Sequence, residues 1–146
     1  MRLTTRCSIA LHCLIFIAEC QDRVKVTGAM LSKSTGCNPA EIRGIMGTLQ
    51  KDGIISIARG VGGARLNREP EALTLWEVFH AVDPDGLDKL FGFHPHPSEA
   101  CPVGQRIRNV LHKPYQDVGA AVREAMEKTT LQRLLEDYRA PESPAT

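Results

Sequence analysis

The chain has 146 residues, enough for one domain or for one domain with an appended oligomerisation arm. Its 42% hydrophobic and 24% charged residues describe an ordinary soluble globular protein, and five cysteines without a C-x-x-C pair argue against a disulfide scaffold and for a reducing cytoplasm. The net charge of +1 conceals a basic front, ten Lys/Arg against four Asp/Glu in residues 1–68, and an acidic back, eight against thirteen in residues 69–146, so a nucleic-acid partner is not excluded.

The first helix is expected from about Thr5 to Cys20, apolar on most sides after Cys7. Arg2 and Arg6 ahead of this run imitate a signal peptide, but the apolar stretch is shorter than the roughly 18 residues of a membrane span, and its removal would cost the domain a core helix. No membrane association is expected. Gln21-Asp22-Arg23 form a turn, and Val24-Lys25-Val26 read as a short strand. Thr27 is placed to cap a second helix from Gly28 to Lys33, followed by the turn Ser34-Thr35-Gly36-Cys37. Asn38, Pro39 and Glu41 then form an N-cap, a first-turn proline and a capping-box carboxylate. Ile42, Ile45, Met46 and Leu49 recur at the spacing of a half-buried helix, which Gly53 closes. Residues 54–66 read as a basic hairpin with glycines at its tip, Arg59-Gly60-Val61-Gly62-Gly63-Ala64-Arg65. A short helix, a glycine-containing turn, a second helix and a hairpin make the plan of a winged helix-turn-helix.

Beyond the break at Arg68-Glu69-Pro70-Glu71, residues 73–82 predict a helix with Leu75, Val78 and Phe79 inward. Asp83-Pro84-Asp85-Gly86 is a turn, and residues 91–100 form a loop with His94 and His96 between prolines. Pro102 opens a helix with Val103, Ile107, Val110 and Leu111 on one face, which Pro114 should interrupt or kink. Tyr115, Val118, Val122 and Ala125 then form a stripe suited to a partner helix. Leu131, Leu134 and Leu135 mark a last short helix, and residues 140–146 should fray. The fold class is thus mainly α with a small β-hairpin wing. Residues 1–82 form the winged helix-turn-helix, 83–101 a loop, 102–139 dimerisation helices and 140–146 a disordered tail.

The face of the capped helix opposite its apolar stripe offers Ala40, Arg43, Gly44, Gly47 and Gln50, whose small members would let the backbone approach a groove floor. Arg43 is the candidate base reader, because a guanidinium can bond O6 and N7 of guanine together. Arg59 and Arg65 flank the wing glycines, where a narrow minor groove would attract them. Thr27, Ser32, Asn38, Pro39, Gly60, Gly62 and Gly63 complete the predicted DNA-binding set.

The run from Asn38-Pro39 through Arg59-Gly60-Val61-Gly62-Gly63 to Leu73-Thr74-Leu75-Trp76-Glu77-Val78 resembles the Rrf-two family of bacterial winged-helix regulators. Arg2-Leu3-Thr4, His12 and Cys101-Pro102-Val103-Gly104 extend the resemblance over nearly the whole chain and point to its YwnA-like branch. The resemblance implies a homodimer joined through the long helix after Cys101, whose winged helices bind a pseudo-palindromic operator in double-stranded DNA. It also implies that positions matching Ala40, Arg43 and Arg59 meet bases. Gly44 departs from the arginine common in the family at that position.

Cluster-bearing members hold three closely spaced cysteines before the long helix, and this chain has only Cys101 there. No cofactor is therefore expected. The alternative is an iron–sulphur or metal sensor using Cys101 with His94, His96 and His12, ligand types that suit a metal. Cys101 is better placed as a redox thiol, because a helix N-terminus favours the thiolate. Cys7, Cys13, Cys20 and Cys37 read as small hydrophobes. The leading reading is a dimeric, cytoplasmic, DNA-binding transcriptional regulator, a repressor, with an unidentified effector. A winged helix that binds protein instead of DNA is the third reading. No paired carboxylates, nucleophile elbow or phosphate loop suggests an enzyme.

Overall fold

The apolar run after Cys7 becomes α1 (Arg6–Cys20) in the computed structural model, which describes residues 5–59 and 63–142. Ala10, Cys13, Leu14 and Ile17 are buried along one side of α1, while Leu11, Ile15 and Phe16 are half-buried on another. Around it pack α2 (Gly28–Thr35) and α3 (Pro39–Lys51), which contribute Leu31 and the predicted stripe Ile42, Ile45, Met46 and Leu49. Each of these large side chains contributes roughly 1.5–3 kcal/mol by leaving water. No polar or charged side chain is buried among the described residues, so the core is an apolar contact network.

The segment between α1 and α2 differs from its predicted strand. Val24 is exposed and Val26 buried, and Ala64 N–H donates to Val26 O at 2.9 Å, but no strand forms at residues 24–26. The hairpin consists of β1 (Ile55–Ala58) and β2 (Gly63–Leu66), antiparallel with Ile55 opposite Leu66 and Ala58 opposite Gly63. Gly53, at φ +74°, turns the chain out of α3, and buried Ile54 and Ile55 root the hairpin in the core.

A short 3-10 turn at Pro70–Ala72 leads to α4 (Leu75–Val82), which buries Val78 and Val82, with Phe79 and Leu75 half-buried. The long helix α5 (Pro102–Glu127) continues through Pro114, which the sequence reading expected to interrupt or kink it. None of its 26 residues is buried. The last helix is α6 (Leu131–Arg139), which the sequence grouped with α5 in residues 102–139. Leu131 and Leu135 are buried in the core, Leu131 N–H bonds Leu73 O at 2.8 Å, and Arg139 Nε meets Glu19 at 2.7 Å. Two leucines of α6 are thus packed in the core while Leu134 is half-buried and Tyr138 exposed, and α5 buries no residue at all. No helix among the described residues is long and apolar enough to cross a membrane.

Candidate nucleic-acid interface

Local hydrogen bonds fix the approach to α3. Thr27 Oγ1 accepts from Met30 N–H at 3.3 Å and starts α2, and Gly36, in the left-handed conformation at φ +73°, ends it. The Ser32 hydroxyl donates to Cys37 O across the turn, and Thr35 Oγ1 accepts from Cys37 N–H at 3.2 Å. Asn38 Oδ1 then accepts from Glu41 N–H at 2.8 Å, with Pro39 at the first helical position. The predicted capping box does not close here, since only the Asn38 half of it forms. Thr27, Ser32 and Asn38 thus set the angle between the two helices.

Burial of one α3 face leaves Ala40, Arg43, Gly44, Gly47 and Gln50 exposed together on the other. A Cβ added at Gly44 or Gly47 would meet nothing within 4 Å, so this face is flat and open. A cleft of about 450 Å³ runs between it and the hairpin, with Arg43, Gly47 and Gln50 on one wall and Ile57 and Ala58 on the other. Lys25 lines the same cleft; the sequence reading missed it because it treated residues 24–26 as a strand. Arg59 is exposed at the end of β1. Gly60 and Gly62, assigned to the wing tip, lie outside the described residues.

Two predicted contacts have other work in the fold. Arg65 Nη1 donates to Gln21 O at 2.7 Å and Nη2 meets Asp22 Oδ1 at 2.6 Å, so Arg65 clamps β2 to the turn after α1. Gly63 is buried, not at the tip. At φ +66° its missing Cβ would sit 2.8 Å from Val26 N and O, so glycine lets the hairpin base press against the α1–α2 link.

The described helices and hairpin thus form a winged helix-turn-helix in which the exposed face of α3 lies beside the hairpin. The Rrf2 family model, described as an iron-dependent transcriptional regulator, matches residues 3–137. The chain belongs to the Rrf2 (Rrf-two) family of transcriptional regulators. It is 30% identical over 135 residues to the HTH-type transcriptional regulator YwnA of Bacillus subtilis (strain 168), covering 92% of this chain and 95% of that one. Among solved structures, one described as a DNA-binding protein is 28% identical at a TM-score of 0.71, covering 89% and 98% of the two chains. CymR, the global cysteine regulator of B. subtilis, shares the fold at a TM-score of 0.68 with 18% identity, over 93% and 97% of the two chains.

The iron in the Rrf2 family description finds no matching donor set here. Among the described residues no three of His, Cys, Asp and Glu come together as a metal site. His12, named above as a possible ligand, is exposed on α1 with Nε2 2.9 Å from Ser34 Oγ. The backbone carbonyl of His94 accepts from Arg108, and its chain carries His96 along an exposed loop. The predicted His12, His94, His96 and Cys101 set is therefore not assembled within one chain.

Cys101 is an exposed free thiol at the N-cap of α5. Its sulfur closes no full cap hydrogen bond, yet the N–H groups of Gly104 and then Val103 lower its pKa below the ordinary thiol value. Burial has the opposite effect on the Cys7 and Cys13 thiols, pushing both up to about 11. Gly104 has its own reason to be glycine, since a Cβ there would collide with the backbone of Ser98. The loop thus crosses tightly over the first turn of α5.

Proposed function

We propose that this Rrf2-family regulator acts in the cytoplasm as a homodimer and represses transcription by occupying a pseudo-palindromic operator. In each half-site α3 enters the major groove, where Arg43 reads guanine and Ala40, Gly44 and Gly47 allow close approach. Arg59 follows the adjacent minor groove, with Lys25 supplying charge near the backbone. Ser32 and Arg65 act by positioning. The carrying observation is the shared exposure of Ala40, Arg43, Gly47 and Gln50 beside the cleft that separates α3 from the wing. The open valines of α5 support dimerisation, and Cys101 at its first turn supports redox control of the dimer's geometry. The chemistry is binding, not catalysis.

The test begins with an operator selected from random duplex DNA by the full-length protein. Affinity should fall steeply as salt rises, because cations released from phosphates drive binding. Arg43→Ala should relax preference at one base pair per half-site, a loss of about 1–3 kcal/mol for the selected sequence. Arg59→Ala should weaken all sequences alike. Salt-independent binding, or the same behaviour of both variants on every sequence, would remove this assignment.

A further inference from the structure

We propose that the cavity between α4 and α5 binds a planar aromatic small molecule with one anionic edge. The cavity holds about 550 Å³, a volume suited to a small organic ligand. Trp76, His80, Phe91, Phe93, His112 and Tyr115 all line it, so much of its lining is aromatic. On the α4 side Trp76 stacks with His80, centroids 5.1 Å apart and planes 22° apart. Phe91 from the loop stacks with Tyr115 of α5 at 4.3 Å and 9°. A lining this rich in aromatic rings favours a polarisable aromatic guest over an aliphatic one, because ring–ring contacts add to area burial.

Polarity within the cavity decides the edge. His112, Gln116 and Arg123 of α5 lie along one face of the helix, one turn and then two turns apart, and Asp88 supplies a single carboxylate. The Arg123 guanidinium sits 4.6 Å over the Trp76 ring, with Nε held by Glu127 at 2.8 Å. Both contacts orient the guanidinium beside the cavity. Gly119 leaves the space open, since a Cβ there would meet no atom within 4 Å. Glycine in a helix interior costs roughly 1 kcal/mol relative to alanine. The exposed valines of α5, Val103, Val110 and Val118, project from a different face, so a seam built on them leaves the cavity accessible.

The chain has one tryptophan, and it lines this cavity, so its indole N–H resonance reports binding directly. The full-length protein, without DNA, is titrated with benzoate, naphthoate and cyclohexanecarboxylate. Both aromatic acids should move the Trp76 resonance saturably, with naphthoate tighter, and cyclohexanecarboxylate should bind at least about tenfold more weakly. Gly119→Leu fills the cavity while improving helix propensity and should weaken the aromatic acids at least about tenfold, with its fold checked by thermal melting. Arg123→Gln keeps an amide but removes the charge and should weaken both acids. Absence of any saturable shift, equal binding of cyclohexanecarboxylate, or wild-type binding by both variants would overturn the proposal. Because no DNA is present, none of these outcomes depends on the operator-binding reading.

Discussion

At the first turn of α5 the Cys101 thiol faces backbone N–H groups, whereas Cys7 and Cys13 face apolar core. The same functional group is driven in opposite directions, toward thiolate at Cys101 and away from it at the two others. A lowered pKa means that the thiolate fraction rises at a lower pH. Mass-spectrometric mapping of iodoacetamide labelling should therefore show Cys101 reacting first as pH rises, with Cys7 and Cys13 lagging until pH approaches about 11. Labelling of all three along one pH curve would refute the assignment. The identity of Cys101 as an N-cap was legible in the sequence from the proline that follows it. The second contribution, Gly104 accommodating the Ser98 backbone, was not, because close approach between a loop and a helix leaves no periodic signal.

Among the elements, α4 has the most complete cap. Thr74 Oγ1 accepts from Glu77 N–H at 3.2 Å, and Glu77 Oε2 accepts from Thr74 N–H at 2.9 Å. Partial burial raises the Glu77 pKa, but hydrogen bonds from Arg68 and Thr74, with the Arg68 charge, lower it overall. A carboxylate with a depressed folded pKa stabilises the fold above its unfolded pKa, and that contribution is lost as pH falls through the folded value. Glu77→Gln should therefore cost stability at neutral pH and nothing at a pH below the carboxylate range, as read by chemical denaturation at each pH. The effect is discounted to about 0.5–1 kcal/mol because the Arg68 pair is solvent-accessible. An equal difference at both pH values would count against it. Hydropathy spacing revealed α3 in full, since its four apolar positions are all buried. It misjudged Val24–Val26, where no strand forms.

For the whole molecule, the decisive contrast is between α5 and α6. Val103, Val110 and Val118 of α5 remain 68%, 61% and 41% exposed, although isolated helices are marginal in water without a packed face. A second copy of the chain supplies that face in the proposed dimer. Val110→Asp should shift the dimer–monomer equilibrium toward monomer by at least tenfold, roughly 1.4 kcal/mol, in analytical ultracentrifugation. It should also weaken operator binding through loss of the second half-site. A variant that stays dimeric would place the seam elsewhere. Of the predicted seam, Tyr115 is half-buried and stacks on Phe91 within its own chain, while Val118 is exposed, Val122 half-buried and Ala125 exposed.

The sequence by itself determined the helix-turn-helix, the hairpin and the exposed face of α3, because caps, glycine stops and a 3.6-residue apolar period act over a few neighbouring residues. It also located Cys101 at a helix start. Only the tertiary structure decided which arginine stays at the surface of the wing and which clamps its base. The same is true of the return of α6 to the core and the aromatic cavity between α4 and α5. Those outcomes join residues far apart in the chain, such as Arg65 with Asp22, Arg139 with Glu19 and Trp76 with Arg123. No local pattern records a contact whose partner arrives only when the core has closed.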